Sequence, residues 1–172
     1  AARALFLLTA ALLPVLTARL SWEIGGRSDH AILAGILAAF SGVYLPYLGV
    51  TDTFSPAACL GGLFLLLALR PQTLWRAAGL GLLAGLMHLG RADGLLWLPA
   101  ALAACLFIKG REPAPGKRPA GRGTALLFCL LAYAAVMVPW MVRNLQVFGS
   151  LLLPGGLRPL WLVTYDQMFS YP

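Results

Sequence analysis

Six apolar runs, separated by Gly, Pro and short charged stretches, limit what this chain can become. They cover approximately Leu5–Ala18, His30–Val50, Thr53–Leu69, Leu74–Leu89, Gly94–Ile108 and Thr124–Val142. The runs do not alternate in polarity, and Leu, Ala and Gly dominate them, which disfavours β-strands. Helices are the expected element. A helix that crosses a ~30 Å hydrocarbon core needs about 20 residues. His30–Val50 and Thr124–Val142 reach that length comfortably, whereas the others fall short. Short spans must thin the bilayer, recess their ends or pack against neighbours, so the polar residues at their ends are expected near the lipid boundary.

Composition points the same way. Hydrophobic residues make up 60% of the chain and charged residues 11%, against about 45–50% and roughly 25% in soluble domains. A soluble chain of this size would have too little polar surface to cover its core, a requirement that lipid removes. The expected fold is an all-α, polytopic transmembrane helix bundle of about six spans. It occupies residues 1–157, with one flexible loop over 110–123 that is rich in Pro, Gly and charge (GREPAPGKRPAGRG). Residues 158–172 form an expected interfacial segment leading to a further C-terminal part. Leu5–Ala18 behind Arg3 has the form of a signal peptide, but several similar runs follow it, so a span is expected. The absence of an initiator Met and of any closing signal suggests an internal piece of a longer chain.

The formal charge of +7 does not form a basic stripe, which argues against nucleic acid as a partner. Basic residues lie instead in the short loops. If spans alternate, one side receives Arg19, Arg27, Arg70, Arg76, Lys109, Arg111, Lys117, Arg118 and Arg122. The other receives Arg3, Arg91, Arg143 and Arg158, a division of nine against four. The positive-inside rule assigns the nine to the cytoplasm, in a cell (inner or plasma) membrane.

This topology brings a set of polar residues to the extracytoplasmic face: Thr51-Asp52-Thr53, Gly90-Arg91-Ala92-Asp93-Gly94, Arg143-Asn144 and Asp166. Ionisable groups at membrane depth are costly and persist where they pair or serve a site. A carboxylate suits general-base work, and guanidinium groups bind phosphate through bidentate hydrogen bonds. The same residues also fit a plainer reading as loop boundaries, with Asp93 as the ion-pair partner of Arg91. His88 is expected to be a packed or interfacial histidine. Cys59, Cys105 and Cys129 lack CxxC spacing and are read as small buried hydrophobes. Gly61, Gly62, Gly79, Gly81 and Gly85 are read as sites of close helix packing.

Two segments carry a resemblance. GLGLLAGLMHLGRADGLLWLP (Gly79–Pro99) resembles the GLLxGLAxLTRxDGLLLLP segment of bacterial GT-C membrane glycosyltransferases, the protein O-mannosyltransferase-like and aminoarabinose transferase-like superfamily. VPWMVRNLQVFGSLLLP (Val138–Pro154) resembles the PWxxRNxxxFGxPxP signature of the same superfamily. The LWLVTYDQMFSYP tail resembles the stretch that follows it in some bacterial members, and YLPYLGVTDTFSPAACLGGLFLLLAL fits its pattern of an acidic residue opening a span. Together these cover most of Tyr44–Pro172 in the right order.

The resemblance implies an enzyme that transfers a sugar from a polyprenyl-phosphate donor to an acceptor at the outer face. Asp52 would then be an acidic, catalytic residue, and Arg91, Asp93, Arg143 and Asn144 would line the substrate site. Cations from side chains or a bound divalent metal would stabilise the departing lipid phosphate, although the sequence itself names no metal ligands. In this superfamily the principal catalytic acid lies in the first outer loop. No acidic pair precedes Glu23, so the chain is expected to begin downstream of that loop and to be incomplete for catalysis.

Two other readings compete: a transporter or channel, and a non-catalytic membrane subunit. Transporters place binding groups near the midplane on broken helices within repeated halves, whereas here the charges sit at span ends. Trp161, Tyr165 and Phe169 recur at i, i+4 and i+8, which suits an amphipathic interfacial helix, or alternatively a loop entering a soluble domain. With single cysteines introduced, labelling by a membrane-impermeant thiol reagent should reach positions Thr51 and Gly155 from outside and Gly116 only from inside. The reverse pattern would overturn the topology.

Overall fold

The computed structural model describes residues 2–41, 53–70, 73–107 and 121–151. They form six α-helices and no strand: α1 (Ala2–Gly25), α2 (Ser28–Ala39), α3 (Phe54–Ala68), α4 (Leu74–Gly90), α5 (Trp97–Phe107) and α6 (Arg122–Phe148). A 3-10 turn, Ala92–Leu96, joins α4 to α5.

Local chemistry accounts for several of these boundaries. The Thr73 hydroxyl accepts the Arg76 backbone N–H at 3.4 Å and so caps the start of α4. Gly26 (φ 65°) turns the chain between α1 and α2, and Gly149 (φ 68°) ends α6 in the left-handed conformation that glycine adopts without a Cβ penalty. Pro56 sits in the first turn of α3, where its missing N–H would have no intrahelical acceptor.

Two helices are long and apolar enough to cross a membrane, Arg3–Gly25 and Arg122–Phe148. At 1.5 Å per residue they are roughly 35 and 40 Å long. The six expected spans thus correspond to two long helices and four shorter ones among the described residues. The first run was expected to end at Ala18, yet α1 continues to Gly25. The reason is an i,i+4 pair: the Arg19 guanidinium donates to Glu23 at 2.6 Å on the helix surface, so charge here extends the helix. In the second run α2 spans Ser28–Ala39, and residues 42–52 lie outside the described residues. The expected loop over 110–123 also loses its end, since α6 already begins at Arg122.

Residues buried along α4 (Ala77, Leu80, Gly81, Ala84, Met87 and His88) recur at helical spacing and form one stripe. The facing stripe on α6 is Ala125, Cys129, Tyr133 and Met137. Gly81 packs so closely on the Cys129 carbonyl that a Cβ there would overlap it, and a Cβ on Gly85 would come within 2.9 Å of the Val136 Cβ. Removing side chains lets the two backbones meet, as small residues do between membrane helices. The pairings Gly81–Cys129 and Gly85–Val136 advance together along both chains, so α4 and α6 run parallel and α5 returns between them.

A second group joins α1 to its neighbours. Gly35 of α2 sits against Ala18, and Gly62 of α3 against Leu16. The Glu23 carboxylate accepts from Arg19 and, at 2.9 Å, from Arg70 at the end of α3. Leu67 of α3 in turn packs on Gly79 of α4. These contacts fix the helix directions. Thr53, Arg91 and Asn144 share one end of the bundle, while Glu23, Arg70, Thr73 and Arg122 share the other.

The α4–α6 contact can be tested directly. Gly81→Ala should lower the thermal unfolding midpoint in detergent, with an overpacking cost of about 1–3 kcal/mol. Gly90→Ala, where a Cβ would meet open space, should leave the midpoint unchanged. Equal behaviour of the two variants would show that helix approach does not limit stability.

Candidate functional site

The end of α4 and the 3-10 turn after it organise this end of the bundle. α4 terminates at Gly90, the Arg91 N–H donates to the Met87 carbonyl at 3.0 Å, and the Gly94 N–H donates to the Arg91 carbonyl at 2.9 Å. Gly94 then folds back onto the last turn of α4 so tightly that a Cβ would overlap the Met87 carbonyl. Glycine is therefore required at this position by close backbone approach.

That turn aims Arg91 and Asp93 at each other. Arg91 Nε donates to Asp93 Oδ1 at 3.0 Å, and Nη2 donates to Oδ2 at 3.2 Å. The third guanidinium nitrogen, Nη1, lies 3.5 Å from the Thr53 hydroxyl, and the guanidinium carbon lies 4.9 Å from the centre of the Phe54 ring. Cation–π stacking and a bidentate carboxylate thus hold one arginine from several sides. Both charged side chains remain accessible, at 34% and 50% relative exposure, so the pair contributes about 0–1 kcal/mol to stability. The Arg91 hydrogen bond holds the Asp93 carboxyl below its ordinary value of 3.8, opposed by partial burial and assisted by the Arg91 charge.

Beside this pair lies a recess of about 300 Å³, walled by Phe54, Ala57, Ala58, Arg91, Asp93 and Trp97. Trp97 is held by an edge contact with Phe64, their ring centres 5.0 Å apart at 69°.

A second polar group is buried deeper. His88 Nδ1 and the Tyr133 hydroxyl are 2.6 Å apart, and the two rings are near parallel with centres 6.1 Å apart. Trp140 packs on the same histidine. His88 is accordingly a packed histidine tying α4 to α6.

The segment Arg143-Asn144 divides between two environments. Asn144 is fully buried, with its Nδ2 3.5 Å from the Leu151 carbonyl and its Oδ1 without a hydrogen-bond partner among the described residues. Arg143 is exposed, on a different face of α6, and makes no ion pair with a described residue. Adjacent residues on a helix are 100° apart, so the two do not converge on one ligand atom from the helix itself.

Of the expected site residues, Arg91 and Asp93 are brought together, and they pair with each other. Arg143 and Asn144 sit at the same end of the bundle on different faces. Asp52, the expected acid, lies outside the described residues, as do Asp166 and the tail aromatics Trp161, Tyr165 and Phe169. Thr53 belongs to the polar turn Thr51-Asp52-Thr53 singled out in the sequence, whereas Phe54 and Trp97 join the site without having been selected there. Their one signal was position, since Phe54 follows that turn and Trp97 follows the Arg-Ala-Asp-Gly turn. Among the described residues no group of three or more His, Cys, Asp or Glu side chains converges as metal ligands would. The three cysteines are buried and free.

No protein-family model matches the chain, and no curated protein or solved structure matches it either.

The depressed Asp93 carboxyl sets a pH dependence. Its stabilising contribution is present above the ordinary value of 3.8 and is lost as pH falls through its lower folded value. The melting difference between the unmodified protein and Asp93→Asn should therefore be small but measurable at neutral pH and should close below the ordinary value. A difference that persists at the acid end would assign the effect of the substitution to something other than this ion pair.

Proposed function

We propose that the chain is the membrane-embedded part of a glycosyltransferase that moves a sugar from a polyprenyl-phosphate donor to an acceptor at the extracytoplasmic face. Two things support the membrane setting. The first is the apolar surface: Leu5, Leu8, Leu12 and Val15 on α1, Ile32 and Leu37 on α2, and Leu127 and Leu131 on α6 are all exposed. Soluble monomers rarely expose contiguous apolar patches larger than a few hundred Å². The second is the position of charge, which concentrates at helix ends and is nearly absent from their middles.

The observation that carries the functional reading is the joining of Thr53, Arg91 and Asp93 beside an aromatic-walled recess, with Asn144 at the same end of the bundle on α6. Asp52 directly precedes Thr53 in sequence, and the Thr53 hydroxyl meets Arg91. The choice of glycosyl transfer over other chemistry at such a rim rests on the resemblance of Gly79–Pro99 and Val138–Pro154 to GT-C enzymes. In this reading Asp52 deprotonates the acceptor hydroxyl. Arg143, which has no ionic partner among the described residues, neutralises the departing lipid phosphate.

A second reading, a non-catalytic membrane subunit, is favoured by one feature. Arg91 is already committed to Asp93, as in a purely structural turn.

One experiment separates them. In the full-length protein, Asp52→Asn should reduce transfer from the polyprenyl-phosphate donor by about a hundredfold or more while leaving expression intact. Arg143→Ala should raise the KM for that donor. Near-normal turnover in both variants would remove the two residues from the chemistry and favour the subunit.

A further inference from the structure

The recess beside Arg91 and Asp93 has a chemical character that selects among the parts of a lipid-linked sugar. Its volume of about 300 Å³ lies at the lower end of small-ligand sites. The space exists because Ala57 and Ala58 end at Cβ in the first turns of α3, opposite the 3-10 turn. Trp97 supplies a flat wall and is kept in place by Phe64. Phe54 supplies a second aromatic edge, already stacked under the Arg91 guanidinium.

The charge at the mouth is the deciding feature. Arg91 carries a full positive charge, but Asp93 lies 3.0 and 3.2 Å from two of its nitrogens. A phosphate placed here would meet a carboxylate on the same turn, and like charges at such range repel. Lipid phosphate is therefore disfavoured. A carboxylate offers about four acceptor directions; the Arg91 side chain takes two, and the backbone N–H groups of Asp93 and Gly94 also lie toward it. What remains for hydroxyl groups is the outward, half-exposed side of the carboxylate. A ligand that fits has one apolar face for the aromatic wall, several hydroxyls for the rim and no charge.

We propose that this recess binds a neutral pyranose ring, with Asp93 accepting from its hydroxyls and Trp97 covering its apolar C–H face. The inference rests on reading this end of the bundle as the place of sugar transfer, and it deepens that reading. Arg91 becomes a residue of the sugar pocket, and the phosphate is left to other cations. It also excludes one class of donor, because a sugar bearing a carboxylate would face Asp93 as the phosphate does.

Saturation-transfer NMR on the detergent-solubilised protein tests this, with methyl α-D-mannopyranoside, methyl β-D-glucuronide and inorganic phosphate as probes. The neutral glycoside should receive saturation, and the glucuronide should receive little. Excess phosphate should not displace the glycoside. Ala58→Leu fills the recess from an exposed position and should weaken glycoside binding about tenfold. Ala58→Ser, nearly the same size, should retain it. Displacement by phosphate, or full binding by Ala58→Leu, would overturn the proposal.

A transfer assay on the same variants keeps the two readings apart. Active transfer with an unchanged donor KM in Ala58→Leu would overturn the pocket while the transferase stands. Glycoside binding that Ala58→Leu abolishes, in a full-length protein inactive with every polyprenyl-phosphate donor, would uphold the pocket and overturn the transferase.

Discussion

The bundle depends on how closely α4 and α6 approach. At Gly81 the α4 backbone lies against the Cys129 carbonyl, and at Gly85 it lies against the Val136 side chain. Helices this close gain dispersion contacts along a whole stripe, from Ala77 to Met87 on one side and Ala125 to Met137 on the other. In a lipid setting such contacts would carry more of the association than in water, because lipid offers no hydrophobic drive between helices and packing must supply it. The same approach brings His88 to Tyr133, so a polar pair is satisfied inside the packed layer. Because the two helices run parallel, their C-terminal ends finish at one end of the molecule.

What gathers at that end is mostly compensated charge. Arg91 is held by Asp93, Thr53 and Phe54 together, and the turn that holds it needs Gly94 for its close return. The opposite end uses a similar device, with Glu23 bridging Arg19 and Arg70 and so tying α1 to α3. Pairing lowers the cost of keeping ionisable groups near a low-dielectric layer. It also changes what the groups can do. A paired arginine is a weak anion site but a good rim for hydroxyl groups, and Arg143 is exposed with no ion pair among the described residues.

Several features were legible in the residues because they depend on local rules. The helices follow from apolar runs without alternation, and the close-packing role of Gly79, Gly81 and Gly85 follows from small residues inside such runs. The Arg91–Asp93 pair follows from two opposite charges beside a glycine. Other features were not legible. The extension of α1 through Arg19 and Glu23 escaped a reading that ended helices at charge, since an i,i+4 ion pair prolongs one. Tyr133 as the partner of His88 is 45 residues away in sequence. Thr53 and Phe54 meet Arg91 only because α3 and α4 pack antiparallel.

By itself the sequence determined that this chain forms apolar helices with charge at their ends, because hydropathy and charge spacing act over a few residues. It also determined the Arg91–Asp93 pair, whose two members lie two positions apart. The tertiary structure decided which helix ends share a side, which aromatic rings wall the recess, and that Arg143 and Asn144 part company on α6. Those outcomes depend on contacts between segments far apart in the chain. Their geometry is set by how closely backbones approach at individual glycines, a quantity that no local pattern of residue types encodes.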